Sequence, residues 1–402
     1  MLKKKLISFE HIDQGDNVTF LPFYIPKQKK LKVVIVGGGY AGIAALTTLV
    51  RYAPNIEITI VDPKDWHIKT THLHETFRYP LTDFLVPFQD IENRYGCRHI
   101  SASIHFDQSK LHGYQESKQL IINEEILNFD YLLIASGCES RTLDHVDNVL
   151  GLQDFTILAG SDLLTEFLNK NNQSEQSISV VGGGATGIQF LFEIKQFLSR
   201  IKSKAELRLI HSGEHVLEQF PDGFNSYVQS RMQDMNIAFY PNTYYRGQED
   251  NKILLTDKQR EKQFELSSGM SILFLGKKQQ AVFSANTFGQ VIENQKPLQN
   301  IFTAGDCSYY QSLGSNTLTA QSAVRKGKLA ARNILRHSGL LGLLEPYLHH
   351  ELGYVVSLGS ADAVGWLGSE SNLVTGISAL SIKELVEVQY DLLLVGIDTY
   401  LV

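Results

Sequence analysis

The chain has 402 residues, 43% of them hydrophobic and 20% charged, which is enough for two or three globular domains. Its 37 basic and 43 acidic side chains leave a net charge of −6, which argues against a nucleic acid as the main partner. Three widely separated cysteines suggest neither a disulfide framework nor a C-x-x-C metal site, and they favour a reducing, cytoplasmic compartment. No signal-peptide pattern and no membrane-spanning run of about 18 apolar residues is predicted.

The first part of the chain predicts an alternating α/β domain. Residues 1–30 are polar and predict a surface arm without recognisable chemistry. The stretch KVVIVGGGYAGIAAL then predicts a strand, a glycine turn and a helix, and IEITIVD predicts a second strand that ends at Asp62. Residues 97–129 predict a small antiparallel insertion, and FDYLLIASG predicts a buried strand that closes at Gly137.

The second part repeats this order. ISVVGGGATG predicts a strand and a glycine turn, residues 236–267 predict short alternating strands, and SGMSILFLGKK predicts a closing strand at Gly276. NIFTAGDCS and TAQSAVRKGKLAARNIL then predict the strand and helix that complete the first domain. The predicted fold is α/β, with two Rossmann-like dinucleotide-binding domains, the second inserted in the first. The predicted parts are an arm (1–30), a first domain (31–150 and 286–345), an inserted domain (151–285) and a C-terminal region (346–402).

Both glycine turns have the spacing G-x-G-x-x-G. The first glycine allows a tight turn, the second lets a pyrophosphate approach the backbone, and the third lets helix and strand pack closely. The two sets are Gly37, Gly39 and Gly42, and Gly182, Gly184 and Gly187. Two copies predict either two bound dinucleotides or one dinucleotide and a decayed copy.

The order and spacing of these motifs resemble those of the type II NADH:quinone oxidoreductases. These belong to the two-dinucleotide flavoprotein disulfide reductase superfamily, and the resemblance covers about residues 31–368. It rests on VVIVGGGYAGIAAL, VDPKDWH, YLLIASG, VVGGGATG, NIFTAGDC, TAQSAVRKG and GYVVSLGSADAVG. It implies FAD in the first domain, a nicotinamide dinucleotide in the inserted domain, and electron transfer to a quinone.

Two aspartates are the main candidates on the flavin side. Asp62 ends the second strand, where a carboxylate can accept both ribose hydroxyls, or can instead form a strand-end turn before Pro63. Asp306 matches the position that contacts the ribityl and pyrophosphate region in the family, with an N-cap as the alternative. The predicted FAD-binding residues are Gly37, Gly39, Tyr40, Ala41, Gly42, Asp62, Gly137, Gly305, Asp306, Ala320 and Gln321.

The cysteines disfavour dithiol chemistry. Disulfide reductases carry a cysteine pair early in the first domain, but DPKDWHIKTTHLHETF contains no cysteine. No cysteine follows Cys307 either, so the second sulfur expected of a sulfide:quinone reductase is missing. Cys138 and Cys307 are therefore interpreted as structural thiols. Reduced flavin must then pass its electrons directly to an acceptor.

On the acceptor side, the quinone reductases carry A-Q-x-A-x-Q-x-G beside the flavin ring. Ala320, Gln321, Ala323 and Gly327 match this pattern, although small residues that only pack the helix would match equally well. Arg325 replaces the second glutamine and either binds a polar acceptor or forms a salt bridge elsewhere. Gln321 and Arg325 are the predicted catalytic residues of this helix.

On the donor side, His211 stands where NADH-using relatives carry an acidic residue. It could meet a 2′-phosphate with help from His215 or Arg208, which would favour NADPH, or be a surface histidine without selectivity. Gln189 replaces the glutamate that relatives place beside the nicotinamide, and Glu193 one helical turn later is the remaining catalytic candidate. The predicted NAD(P)-binding residues are Gly182, Gly184, Thr186, Gly187, His211 and Gly276.

The tail predicts an apolar helix with one acidic stripe. Its members are Glu384, Glu387, Asp391 and Asp398, and Lys383 is the one basic residue in 377–402. Anionic lipid would repel that stripe, so the apolar face is expected to pack on the chain's own body or on a second subunit. Peripheral contact with the inner face of a membrane is the alternative.

The predicted function is that of an FAD-dependent NAD(P)H dehydrogenase that reduces a quinone or another small acceptor, with no metal. One alternative is a ferredoxin-reductase-like or apoptosis-inducing-factor-like flavoprotein that passes electrons to a protein. Another is a non-catalytic flavin-binding module, motivated by the substitutions at His211, Gln189 and Arg325.

Overall fold

The computed structural model describes residues 30–141, 148–170, 176–279, 281–340 and 343–400. The arm predicted at 1–30 lies outside the described residues, apart from Lys30. The α-helices are α1 (Tyr40–Tyr52), α2 (Phe88–Tyr95), α3 (Leu111–Ser117), α4 (Gly160–Lys170), α5 (Ala185–Arg200), α6 (Asp222–Asp234), α7 (Ala320–Leu335) and α8 (Gly376–Leu394). A longer 3-10 segment spans Thr70–Phe77.

The strands are short and are numbered in chain order. The first ten are β1 (Lys32–Val36), β2 (Glu57–Asp62), β3 (Trp66–Ile68), β4 (Leu85–Pro87), β5 (Arg98–Ser101), β6 (Gln119–Ile122), β7 (Glu125–Asn128), β8 (Tyr131–Ile134), β9 (Glu139–Ser140) and β10 (Val149–Gly151). The next eight are β11 (Ser177–Val181), β12 (Glu206–Ile210), β13 (Ala238–Tyr240), β14 (Thr243–Glu249), β15 (Lys252–Asp257), β16 (Lys262–Ser267), β17 (Met270–Leu273) and β18 (Lys277–Lys278). The remaining strands are β19 (Phe283–Ala285), β20 (Gln290–Glu293), β21 (Lys296–Thr303), β22 (Ser308–Tyr310), β23 (Gly353–Ser357), β24 (Ala363–Leu367) and β25 (Ser369–Thr375).

One compact unit contains the described residues within Met1–Asp65, Pro87–Gly137 and Ala281–His349. Its eight-stranded sheet has the order β22-β19-β20-β21-β8-β1-β2-β5, and the strands from β21 to β5 are parallel. The carboxyl ends of parallel strands meet at one edge of a sheet, where ligands of such folds bind. The sheet therefore brings together the residues that follow β1, β2, β8 and β21.

The antiparallel insertion predicted for residues 97–129 is wrong in part. Strand β5 joins the main sheet and pairs in parallel with β2, with Asp62 opposite Ser101. The hydrogen-bonding edge of β2 needs a partner, and half-buried Ile100 packs against the core of this unit. Only β6 and β7 form an antiparallel hairpin in this stretch.

The second compact unit comprises Trp66–Val86, the described residues of Cys138–Gln280, and those of His350–Val402. Its parallel sheet has the order β10-β17-β11-β12-β13, and β14, β15 and β16 form a separate antiparallel sheet. A third sheet, β23-β24-β25, packs against α8. Within the described part of the chain, no helix is both long and apolar enough to cross a bilayer.

Candidate functional site

The first glycine turn excludes larger residues at two positions and leaves a third open. Gly37 has a φ of +107°, and a Cβ there would lie 2.2 Å from Ala135 O. A Cβ on Gly42 would lie 1.9 Å from Gly37 O, so glycine allows α1 to start close to β1. No atom lies within 4 Å of the Cβ position of Gly39, the N-cap of α1. This open position fits a pyrophosphate placed against a helix N-terminus.

The second glycine turn repeats that geometry. Gly182 has a φ of +115°, and its Cβ would lie 2.2 Å from Phe274 O. A Cβ on Gly187 would lie 1.9 Å from Gly182 O, while the Cβ position of Gly184, the N-cap of α5, is open. The first turn of α1 contains Tyr40 and Ala41, and that of α5 contains Thr186. Neither first turn has an acidic residue that would repel a phosphate. The backbone of the second copy is therefore not decayed.

Asp62 holds the first glycine turn in place. Its Oδ2 accepts a hydrogen bond from Gly38 N at 2.7 Å, and its Oδ1 accepts one from Lys64 N at 3.0 Å. The second of these bonds is the strand-end turn that the sequence offered as an alternative. Contact with a ribose stays a prediction, and the two roles are compatible because a carboxylate has several lone pairs.

Other flavin-side candidates follow neighbouring strands of the first sheet. Gly137, with φ +70°, has open space at its Cβ position, and Gly305, with φ +80°, lies against Ala41. Asp306 is half-buried and is not a helix N-cap, because the N-cap of α7 is Thr319, which accepts from Ser322 N at 3.0 Å. The N-cap interpretation of Asp306 is therefore wrong.

The N-terminal part of α7 presents one accessible face. Ala320, Gln321 and Arg325 are half-buried, whereas Ala323 and Val324, between Gln321 and Arg325, are buried. The spacing of four residues places Gln321 and Arg325 on the same side of the helix. On another side, glycine allows close packing on α1, because a Cβ on Gly327 would lie 2.2 Å from Ala41 O. The catalytic role of the predicted pair stays a prediction.

His211 occupies in the second turn the position that Asp62 occupies in the first. Its Nδ1 accepts a hydrogen bond from Gly183 N at 3.1 Å, so this nitrogen carries no proton. Burial lowers the pKa of His211 below its usual value, although nearby Glu218 acts in the opposite sense. The imidazole is therefore neutral near pH 7 and supplies no positive charge for a 2′-phosphate.

Of the two helpers proposed for His211, Arg208 is held away from the strand end, while the role of His215 stays a prediction. Arg208 is buried, and its guanidinium donates to Ser267 O at 2.9 Å and to Glu206 Oε2 at 3.1 Å. This correction follows from strand geometry, since the Arg208 side chain is held beside β12 itself rather than at the strand end. His215 is exposed, and its backbone N–H donates to Glu218 Oε1 at 3.3 Å.

The loop after His211 carries negative charge to the glycine turn. Leu217 N donates to Gly183 O at 2.8 Å, which ties this loop to the middle glycine. Glu218 follows, and its Oε1 lies only 2.1 Å from where a Cβ on Gly213 would be. The segment HSGEHVLE contains two glutamates and no lysine or arginine. Glu218 was not among the predicted site residues, although the acidity of this segment is visible in the sequence.

Glu193 is fully buried and paired. Its Oε2 accepts from Arg78 Nε at 3.1 Å, and Arg78 Nη2 lies 3.0 Å from its Oε1. Burial raises the pKa of Glu193 to about 7, against the opposing effect of Arg78. This burial argues against contact between Glu193 and a substrate. Gln189, one turn earlier, is half-buried and donates to Ser357 Oγ.

The tail helix contributes to a buried charge cluster that was not predicted from the sequence. Lys383 Nζ donates to Glu75 Oε1 at 2.9 Å and to Glu387, and His72 lies beside both carboxylates. Burial would raise the pKa of Glu75, but the hydrogen bond from His72 and the charge of Lys383 hold it well below its usual range. The two carboxylates and the imidazole could ligate a metal, but the Lys383 ammonium already supplies the cation.

The predicted acidic stripe of the tail is wrong in part. Glu387 points inward to Lys383, Asp391 pairs with Lys69 at 2.9 Å, and Asp398 lies beyond the end of α8. The helix packs on β23 and β24 through its buried face, as the prediction of packing on the chain's own body requires. Contact of its exposed residues with a second subunit stays a prediction.

Three comparisons relate this geometry to known proteins. The family described as "Pyridine nucleotide-disulphide oxidoreductase" matches residues 31–327. A type II NADH:quinone oxidoreductase of Staphylococcus aureus (strain NCTC 8325 / PS 47) is 25% identical over 394 residues, covering 90% of this chain and 95% of the relative. These matches confirm the predicted resemblance.

Solved structures are similar in fold at low identity. NDH2 from Plasmodium falciparum in complex with NADH has a TM-score of 0.76 at 16% identity, covering 90% of this chain and 94% of the other. The sulfide:quinone oxidoreductase from Aquifex aeolicus has a TM-score of 0.72 at 16% identity, covering 91% and 92%. The predicted α/β class with Rossmann-like dinucleotide-binding domains is confirmed.

Proposed function

Because the chain belongs to the pyridine nucleotide-disulphide oxidoreductase family, we propose that it oxidises NADH through bound FAD and reduces a quinone. The observation that carries the proposal is the pair of glycine turns, each with an open glycine at a helix N-terminus. One turn accommodates a resident flavin dinucleotide and the other an exchangeable nicotinamide dinucleotide. The similarity to the Staphylococcus aureus quinone oxidoreductase supports a quinone as acceptor.

The cysteines support direct transfer to the acceptor. None of the three forms a disulfide, and Cys307 is buried, with its thiol 3.4 Å from Ala304 O. Burial raises the pKa of Cys97 to about 11, which keeps that thiol protonated and unreactive near pH 7. These three cysteines, all within the described residues, therefore provide no pair to relay electrons from the flavin.

The residues of the chain supply binding and alignment. Gly37, Gly39 and the N-terminus of α1 would hold the pyrophosphate of FAD, and Asp62 and Asp306 its sugar hydroxyls. FAD held there would supply the redox chemistry that links the nicotinamide to the acceptor. Gln321 and Arg325 lie on the accessible face of α7, where we propose that they orient the quinone carbonyls.

The charges beside the second turn favour NADH as donor. A 2′-phosphate would lie beside the strand end that carries His211. There it would meet a neutral imidazole and the carboxylate of Glu218, with Arg208 already committed elsewhere. The 2′-hydroxyl of NADH has no such repulsion and can donate a hydrogen bond to a carboxylate.

The direct test is oxidation of NADH and NADPH by the purified chain with a short-chain ubiquinone. We expect NADH oxidation that depends on the quinone, and markedly slower oxidation of NADPH. Flavin reduction by NADH without quinone turnover would favour a protein acceptor. Absence of flavin reduction with either donor would contradict the proposal and favour a non-catalytic module.

A further inference from the structure

Three side chains of the second unit form a hydrogen-bonded line beside the second glycine turn. Gln189, early in α5, donates from Nε2 to Ser357 Oγ at 3.2 Å. Ser357 closes β23, and its Oγ lies 3.0 Å from Nε2 of His74. Ser357 and His74 are buried, whereas Gln189 is half-buried, so the glutamine is the accessible end of the line.

His74 is neutral in these surroundings. Burial holds the pKa of His74 well below its usual value, and the charge of Lys383 acts in the same direction. Glu75 opposes this shift, while His72 and Arg78 add to it. A neutral imidazole has one nitrogen that donates and one that accepts.

This neutrality leaves His74 Nε2 able to accept a hydrogen bond from the Ser357 hydroxyl. Since Gln189 already donates to Ser357 Oγ, the hydroxyl proton of Ser357 is free to point at His74 Nε2. His74 Nε2 lies 3.6 Å from Glu75 Oε1, which is too long for a hydrogen bond, so this nitrogen is not needed as a donor there. With the His74 proton on Nδ1, the bonds run from Gln189 through Ser357 to His74.

The line lies on the side of the turn where the nicotinamide half belongs. Strand β17 flanks β11 on the side opposite β12, whose end carries His211 and the adenosine ribose position. Phe190, next to Gln189, packs 4.6 Å from the ring of Phe274, which follows β17, and 6.3 Å from the ring of His74. A dinucleotide with its adenosine at His211 therefore extends toward Gln189.

We propose that Ser357 and His74 are positioning residues that hold the Gln189 amide with its oxygen outward, to accept a hydrogen bond from the nicotinamide carboxamide. The proposal rests on the proposed function, since it requires a nicotinamide dinucleotide at α5. The amide nitrogen is engaged by Ser357, so Oε1 is the atom that remains for a ligand. A glutamate at 189 could only accept from Ser357, which would reverse the bond between residues 189 and 357.

The test compares two ligands on the full FAD-loaded chain by titration calorimetry. NAD+ has the nicotinamide, and ADP-ribose lacks it but keeps the adenosine and pyrophosphate. We expect S357A to weaken NAD+ binding about fivefold, which corresponds to the loss of one hydrogen bond. ADP-ribose binding should stay unchanged. The conservative variant S357T keeps the hydroxyl and should bind NAD+ like the wild type.

A second variant separates positioning from general damage. Q189L should weaken NAD+ binding to the same extent as S357A, and S357A should add nothing further in the Q189L background. Equal weakening of both ligands by S357A, additive losses in the double variant, or unchanged NAD+ binding by Q189L would overturn the proposal. If S357A does not fold, the Q189L result decides. A wild-type chain that binds neither ligand would contradict the proposed function itself.

Discussion

The two glycine turns have nearly the same backbone but different side chains beside them. In the first, the carboxylate of Asp62 accepts from the middle glycine, Gly38. In the second, the neutral imidazole of His211 accepts from Gly183. In both turns, the residue at the end of the neighbouring strand accepts the hydrogen bond of the middle glycine N–H. An aspartate or a neutral histidine can be this acceptor. Selectivity for the ligand can then depend on another residue, here Glu218.

The largest expected effects come from the first glycine of each turn. In G37A and G182A, a methyl group at positive φ would also meet a carbonyl oxygen at 2.2 Å, which costs about 3 kcal/mol or more of stability. G37A should lose FAD, measured as flavin content, whereas G182A should retain FAD and lose NAD+ binding in calorimetry. Loss of FAD from G182A would break the assignment of one ligand to each turn.

The open glycines should affect binding and not folding. No atom lies near the Cβ positions of Gly39 and Gly184, so G39A and G184A should change the free energy of unfolding by less than about 0.5 kcal/mol. A methyl group in the pyrophosphate path should weaken FAD in G39A and NAD+ in G184A about tenfold or more. Denaturant unfolding of the ligand-free chains and calorimetry check both parts. Unaltered NAD+ affinity in G184A would place the dinucleotide elsewhere.

Charge reversal at Glu218 should sharpen the difference between the turns. E218R should lower the ratio of the NADPH to the NADH dissociation constant about tenfold, because a cation replaces an anion beside the 2′ position. The isosteric control E218Q removes the charge alone and should have a smaller effect. An unchanged ratio in both variants would show that Glu218 does not face the ribose.

The hydrogen bond between His211 and the second turn should be sensitive to mild acid. Since the folded-state pKa of His211 is below 6.5, the unfolded chain binds more protons than the folded chain just under that pH. The contribution of the His211 hydrogen bond to stability is therefore lost as the pH falls, because protonated Nδ1 cannot accept from Gly183 N. NAD+ binding should weaken about fivefold as His211 protonates, with FAD retained. In H211D this part of the pH dependence should disappear.

The smallest expected effect is a gain. H211D would give the second turn the acceptor that Asp62 provides in the first, with an additional carboxylate oxygen for the ribose diol. NADH binding should tighten about threefold at about pH 7.5, at unchanged stability. The matched variant H211N keeps an acceptor without charge and should bind NADH like the wild type. Weaker binding in H211D would indicate that the adenosine ribose is not beside residue 211.

The sequence was sufficient where the physical constraint was local. Both glycine turns, the end of β2 at Asp62 and the face of α7 with Gln321 follow from spacing along a few residues. It was insufficient where a partner comes from far along the chain. The inward turn of Glu387 depends on Lys383, which is itself fixed by Glu75, 308 residues away.

Partners that are distant in sequence also explain the other differences between the predicted and the observed site. Arg208 looked available for a phosphate because Ser267, its partner from another strand, is not adjacent in sequence. The line from Gln189 to His74 joins three segments that no periodicity connects. The stretch HLHET has no motif that indicates burial, so its buried histidines and glutamate could not be recognised from their neighbours in the sequence.

The most direct measurement is an anaerobic titration of the FAD-loaded chain with NADH and, separately, NADPH, followed at the flavin absorption at about 450 nm. We predict rapid and complete bleaching by NADH, slower or weaker bleaching by NADPH, and recovery of the absorption when a short-chain ubiquinone is added. Absence of bleaching with both donors, or preference for NADPH, would contradict the assignment of the second turn as an NADH site.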